Sequence, residues 1–114
     1  MQSIKNILNA SKYSISGLKF LWKERAFRQE LFLFPFVLIE IYCIPHNRLY
    51  VMLSYFIILI TEALNTAIES VVDRVSRDYH ILSKKAKDIG SASVFIALLN
   101  FFIIIIINII VHLT

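Results

Sequence analysis

The sequence has very little glycine, proline or cysteine: among 114 residues there are two Gly, two Pro and one Cys. Because Gly and Pro supply most tight turns, a fold built from many short strands is excluded. Walker-type loops and G-x-G-x-x-G turns need glycines at fixed spacing and are absent, as is an H-R-D motif. The single Cys43 excludes a disulfide framework and a cysteine metal site within one chain.

Hydrophobic residues, in contrast, make up 58% of the chain. This share is typical of membrane proteins, and the long apolar runs favour helices over strands. The length allows one domain. We therefore predict an all-α integral membrane protein whose single membrane domain covers residues 1–114.

The first segment, residues 4–22, has apolar residues at helical spacing and lysines on the opposite face, among them Lys5, Lys12 and Lys19. This pattern predicts a basic amphipathic surface helix with its lysines toward anionic headgroups. Packing of this helix against another protein helix is the alternative.

Three apolar segments follow and predict three transmembrane helices, over residues 27–45, 49–72 and 90–113. Pro35 is expected to kink the first span. Glu40, a carboxylate inside the same span, must face protein or water rather than lipid.

The basic residues predict the topology. Those before the first span are Lys5, Lys12, Lys19, Lys23, Arg25 and Arg28. Those in the predicted loop 73–88 are Arg74, Arg77, Lys84, Lys85 and Lys87. The outer turn has only Arg48, and the C-terminal tail has no Lys or Arg. The positive-inside rule therefore predicts a cytoplasmic N-terminus, a cytoplasmic 73–88 loop and a C-terminus on the outer side.

The second span carries four polar residues on one face. Glu62, Asn65, Glu69 and Asp73 fall within an arc of about 80° at 100° per residue, and Glu62 lies roughly 10 Å deeper than Glu69. An ionisable side chain at that depth costs at least about 2.5 kcal/mol on insertion scales, so it usually has a function. The alternative is that Glu62 and Asn65 form hydrogen bonds that hold helices together.

This stripe, together with the basic loop, suits phosphoryl transfer. Glu69 and Asp73, near the membrane border, can hold Mg²⁺, which takes one or two carboxylates plus substrate phosphates. The deeper Glu62 can act as a general base. The loop offers phosphate partners in Lys84, Lys85 and Lys87. We therefore predict transfer from a soluble nucleotide to a hydroxyl at the membrane surface.

Three stretches, "ERAFRQE" (24–30), "EALNTAIESVVDRVS" (62–76) and "DYHILSKKAKDIGSASV" (78–94), resemble the signature blocks of the bacterial integral-membrane diacylglycerol kinases. The resemblance implies a homotrimeric enzyme of the bacterial inner membrane with active sites composite between subunits. It implies transfer of the γ-phosphoryl group of MgATP to 1,2-diacylglycerol, which gives phosphatidic acid.

The resemblance also implies residue roles. Glu62 matches the catalytic base, with Asn65 beside it, and Glu24 and Glu69 match the carboxylates that hold the metal. The matching ATP-binding positions are Tyr13, Glu24, Glu69, Asp78, Tyr79, His80, Lys87 and Asp88. The matching lipid-facing and substrate-contacting positions are Ala10, Ser11, Lys12, Tyr13, Ser14, Trp22, Phe27, Arg28, Gln29, Glu30, Glu62 and Ser91. Asp73 thereby becomes a supporting residue, and a surface salt bridge with Arg74 or Arg77 is its plainer role.

Other functions stay open at this point. A related enzyme type phosphorylates undecaprenol, although "FRQE" and "GSAS" favour diacylglycerol. An oligomer with Glu62 and Glu69 on one stripe could also form a small cation or proton channel. A channel, or a non-catalytic accessory subunit, has no need for the lysine-rich loop.

Overall fold

The computed structural model describes residues 1–114 and contains five α-helices and no strand, which confirms the predicted all-α class. The helices are α1 (Gln2–Trp22), α2 (Arg25–Leu31), α3 (Phe34–Cys43), α4 (Arg48–Val75) and α5 (Ile81–Leu113).

The first helix covers the predicted amphipathic segment and is exposed along its length. No residue of α1 is buried, and its apolar face, which includes Ile4, Ile7 and Leu18, is open. A helix of this kind needs an apolar surface outside its own chain, which a membrane interface supplies.

The predicted first span, 27–45, is not one helix. It is divided between α2 and α3, with Phe32 and Leu33 between them and Pro35 in the first turn of α3. Proline has no N–H to donate to the carbonyl of Leu31, and its ring clashes with that carbonyl. The kink expected at Pro35 is therefore a full break of the helix.

Two helices, α4 and α5, are each long and apolar enough to cross a membrane. They run antiparallel and build the core of the chain, with Tyr55 and Ile58 of α4 packed near Ala97 and Phe101 of α5, and Val37 of α3 beside them. The rings of Tyr55 and Phe101 are 6.2 Å apart, within the range for a favourable aromatic pair.

The predicted loop 73–88 is mostly helical. Only residues 76–80 separate α4 from α5, so the lysines assigned to a loop stand on the first turns of α5. His80 explains where α5 begins, since its Nδ1 accepts a hydrogen bond from the backbone N–H of Leu82 (3.1 Å). A side-chain acceptor at this position satisfies one of the free N–H groups of the first helical turn.

At the other end of the helical core, Glu40 faces protein, as a carboxylate in an apolar helix must. Asn108 of α5 donates a hydrogen bond to Glu40 Oε1 (2.9 Å) and accepts a longer one from Asn47 (3.4 Å). Asn108 is buried, so these bonds join α3, the turn before α4, and α5 inside the protein.

Candidate active site

The predicted polar stripe of α4 passes from buried to exposed positions. Glu62 and Asn65 are buried, with 6% and 7% of their surfaces exposed, whereas Glu69 is exposed and Asp73 is half-buried. The deeper half of the stripe is therefore screened from water and the other half is open. This gradient suits a proton acceptor at the buried end and ion binding at the open end.

Asn65 and Glu69 are joined directly, because Asn65 Nδ2 donates a hydrogen bond to Glu69 Oε1 (3.2 Å). The other amide atom, Asn65 Oδ1, is buried without a partner. It lies against Gly90 of α5, where a Cβ would overlap with Oδ1 and stand 3.3 Å from Asn65 Cγ. The absence of a side chain at Gly90 thus makes room for Asn65.

Carboxylates of α2 meet the stripe of α4. Glu30 is buried near Glu62, close enough for the two carboxyl groups to act on each other electrostatically, and its Oε2 has no hydrogen-bond partner. Glu24 and Glu69 are also near enough for their charges to act on Glu62. The fold holds α2 in place through Tyr55, whose hydroxyl donates to the backbone carbonyl of Glu30 (3.0 Å). Four predicted site carboxylates are thus brought into one region.

No three Asp, Glu, His or Cys side chains are close enough to form a complete metal site. Mg²⁺ does not require one, since it usually keeps several waters and binds one or two carboxylates together with substrate phosphates. The carboxylate of Glu24 makes no capping hydrogen bond at the start of α2, and that of Glu69 is exposed. Both can therefore take a nucleotide-bound Mg²⁺. Asp73, which the spacing alone suggested as a ligand, is engaged elsewhere.

Residues at the α4–α5 turn form a polar cavity of about 310 Å³. Five of the predicted ATP-binding residues line it, namely Asp78, Tyr79, His80, Lys87 and Asp88. Arg77 and Lys84 also line it, which makes it a mixed pocket with several cations for phosphate oxygens. The predicted ATP-binding residues Tyr13, Glu24 and Glu69 do not line this cavity.

Two lysines of this cavity are ion-paired. Lys84 contacts Asp88 (2.5 Å) on its own helix, and Lys87 of α5 contacts Asp73 of α4 (2.6 Å). The predicted partners of Asp73, Arg74 and Arg77, are not its salt-bridge partners. Asp73 lies just past the apolar 49–72 segment, and the hydrogen bond from Lys87 lowers the pKa of its carboxyl group, which favours the ionised form.

A second cavity of about 600 Å³ lies between α1 and α4. Its lining residues are Ser14, Gly17, Leu18, Phe20, Leu21, Lys23, Glu24, Ala63, Thr66, Ala67 and Ser70. The α4 part of this wall lies on the face next to the carboxylate stripe, and none of the stripe residues lines the cavity. Glu24 is the one predicted site carboxylate in its wall. Its size and mixed lining suit part of an amphipathic ligand.

The other predicted substrate residues lie on α1, on α2 and near Gly90. Of the predicted α1 residues, only Ser14 lines the large cavity; those outside it are Ala10, Ser11, Lys12, Tyr13 and Trp22. The hydroxyls of Ser11 and Ser14 bond to carbonyls of their own helix. On α2, Phe27 is buried and Gln29 is exposed, whereas Arg28 donates to the carbonyl of Trp22 (2.7 Å). Ser91, next to Gly90, is exposed.

Sequence reasoning missed three positioning features. They are the contact of Gly90 with Asn65, the pairing of Asp73 with Lys87, and the anchor from Tyr55 to α2. A glycine inside a long helix was the one signal available for the first, because such a glycine often marks a close approach. The other two join residues that are far apart in sequence, and no local pattern indicates them.

Comparisons with known proteins show similarity to one family. A family model described as "Prokaryotic diacylglycerol kinase" matches residues 12–109. A diacylglycerol kinase of Haemophilus influenzae is 41% identical over 99 residues, which are 83% of this chain and 84% of that protein. A diacylglycerol kinase of Pseudomonas aeruginosa is 45% identical over 100 residues, 83% of this chain and 80% of that protein. One from Escherichia coli K12 is 41% identical over 97 residues, with 82% and 80% covered.

Proposed function

Because this chain belongs to the prokaryotic diacylglycerol kinase family and is thus an enzyme of the kinase class, we propose that it phosphorylates 1,2-diacylglycerol. In this reaction the γ-phosphoryl group of ATP passes to the free hydroxyl of the lipid, and the products are phosphatidic acid and ADP. Family membership also removes the channel and accessory-subunit interpretations. The observation that carries the proposal is the gathering of four carboxylates, Glu24, Glu30, Glu62 and Glu69, in one region. Glu24 also lines the large cavity, and Lys87, paired with Asp73 of the stripe, lines the polar cavity.

The two cavities suit the two substrates. The larger one lies between the amphipathic α1 and the apolar α4, and its wall includes Glu24, whose charge acts on Glu62. A lipid can therefore enter it from the membrane with its glycerol toward these carboxylates. The polar one, with Lys84, Lys87 and His80, suits a soluble nucleotide. Correct placement of the two reactants relative to each other is the main source of rate in such a site, since phosphoryl transfer depends mostly on positioning and charge stabilisation.

The chain's own residues supply the remaining chemistry. Glu62 accepts the proton of the lipid hydroxyl. At the same time the oxygen of that hydroxyl forms a bond to the γ-phosphorus, and the bond from the γ-phosphorus to the β-phosphate oxygen breaks, so that ADP leaves. Asn65 holds Glu69 by its hydrogen bond, and Lys87 contacts the phosphates. Glu24 and Glu69 would hold Mg²⁺, which neutralises charge on the nucleotide phosphates when bound.

The assembly and topology belong to the same proposal. We infer a homotrimer in the bacterial inner membrane, with three spans per subunit, a cytoplasmic N-terminus and a periplasmic C-terminus. The short α3 forms the first span together with α2. Large apolar side chains on α4 and α5, such as Leu53, Ile60 and Phe95, are exposed in the single chain and suit contact with lipid or another subunit.

A kinase assay with two lipids tests this function. Purified protein in detergent or liposomes receives labelled ATP and either diacylglycerol or undecaprenol, with Glu62→Gln as the matched inactive control. We expect label in phosphatidic acid with the wild type and at least about 100-fold less with the variant. Preferential labelling of undecaprenol, or equal labelling by wild type and variant, would contradict the proposal.

A further inference from the structure

An ion pair joins α4 and α5 beside the polar cavity. Lys87 Nζ of α5 lies 2.6 Å from Asp73 Oδ1 of α4, and the two residues flank the five-residue turn 76–80. Both side chains are only partly exposed, 41% for Lys87 and 36% for Asp73. A pair between neighbouring helices differs from the Lys84–Asp88 pair, which lies within one helix and is more exposed.

The two partners have different positions relative to the cavity. Lys87 lines it together with His80 and Asp88, whereas Asp73 does not line it. The carboxylate thus contacts the lysine without being part of the cavity wall. Asp73 also lies four residues beyond Glu69 on the same face of α4. It is the stripe residue nearest in sequence to the turn 76–80.

A lysine on a flexible four-carbon stem loses much rotamer freedom when it is fixed on a phosphate. Its ammonium has three donors, of which one is used by Asp73, so two stay free for phosphate oxygens. An ammonium held in this way before ATP arrives needs less ordering on binding, which is the general advantage of preorganisation.

We propose that Asp73 is a positioning residue for the nucleotide, which holds the Lys87 ammonium at the edge of the polar cavity. The carboxylate acts through Lys87 and does not contact the metal. This inference rests on the proposed kinase function, because it assumes that ATP binds in the polar cavity. It gives a role in ATP binding to Asp73, which is not among the ATP-binding residues that the resemblance implies. It predicts that loss of Asp73 weakens ATP binding and leaves Mg²⁺ dependence unchanged.

The first test compares Asp73→Asn with wild type in direct ATP binding, without lipid, and in steady-state turnover. We expect the Kd and KM for ATP to rise about fivefold to tenfold, as for loss of one charge-assisted hydrogen bond, with kcat changed by less than about twofold. Asp73→Glu, which retains the carboxylate, should recover most of the affinity. Arg48→Gln, a loss of charge at the other end of α4 from Asp73, is the control and should leave the Kd unchanged.

A charge swap separates positioning from plain helix pairing. In the double variant Asp73→Lys/Lys87→Asp the salt bridge between helices can form again, but the ammonium stands on α4 and the carboxylate on the cavity wall. We expect thermal unfolding close to that of wild type and ATP affinity at least as weak as that of Asp73→Asn. Recovery of wild-type ATP affinity by the swap would overturn the inference.

Magnesium titrations provide the other decisive outcome. An unchanged ATP affinity in Asp73→Asn, or a higher Mg²⁺ requirement at saturating ATP, would overturn the positioning role. Because ATP binding is measured without lipid, these results are independent of the lipid phosphorylated. Failure of the proposed function appears instead as ATP binding by wild type without any phosphatidic acid.

Discussion

Gly90 of α5 lies so close to Asn65 of α4 that no side chain fits between them. The space that a Cβ would need at Gly90 is filled by Oδ1 of Asn65, whose Nδ2 donates to Glu69. The position of Glu69, a proposed metal ligand on α4, therefore depends on the absence of a side chain at Gly90 of α5.

The substitution Gly90→Ala should accordingly displace Asn65 and release Glu69. We expect turnover to fall about tenfold or more, since shifts of about 1 Å near reacting groups have effects of this size or larger. The exposed neighbour provides a control, and Ile89→Ala should retain activity. In an Asn65→Ala background, Gly90→Ala should have little further effect, because its target is absent. Full additivity of the two losses in a kinetic double-mutant cycle would contradict this contact as the cause.

Glu62→Gln removes the proposed proton acceptor and retains the size of the side chain. We expect kcat to fall by about 10²- to 10⁴-fold, the usual contribution of a general base. ATP binding should be unchanged, because Glu62 is buried among helices and does not line the polar cavity. Turnover of labelled ATP and equilibrium ATP binding on the same preparation check both parts. Near-normal turnover by the variant would remove Glu62 as the base.

Glu69→Gln should act on metal dependence. The substitution retains a hydrogen-bond acceptor for Asn65 but loses the negative charge that attracts Mg²⁺. We expect the Mg²⁺ concentration for half-maximal activity to rise several-fold, with part of the activity recovered at high Mg²⁺. The readout is a magnesium titration at saturating ATP and lipid. Asp73→Asn serves as the comparison. An equal rise in the half-maximal Mg²⁺ concentration for both variants would show that loss of any nearby negative charge has this effect, and that Glu69 is not a specific metal ligand.

Asn108→Leu tests the buried hydrogen bonds at the opposite end of the subunit. The change leaves the Glu40 carboxylate without its partner, and we expect a loss of about 1–2 kcal/mol in stability. Thermal unfolding in detergent micelles is the measurement. The double variant Glu40→Leu/Asn108→Leu should recover much of the loss, because no polar group is then left unpaired. A double variant less stable than the single one would show that these residues act through other contacts.

Much of the fold and part of the site could be predicted from the sequence. The all-α class follows from the long apolar runs and the scarcity of Gly and Pro, since such runs in a membrane satisfy their backbone groups as helices. The α4 stripe also follows from spacing, because helical geometry places Glu62, Asn65 and Glu69 on one face wherever the helix lies. The residues at 78–80, together with Lys87 and Asp88, gather at one cavity, a grouping that the family resemblance implied and that local spacing did not.

The partners of these residues were decided only by the tertiary structure. Pro35 predicted a kink, but the full break between α2 and α3 depends on how these two helices pack against α4. Helical spacing predicted that Asp73 is a metal ligand. In the structure α5 packs beside α4, and Asp73 forms a salt bridge with Lys87 instead. Helical periodicity defines which side chains share a face of one helix, whereas contacts such as Gly90 with Asn65 depend on the distance between two helices, which no local pattern encodes.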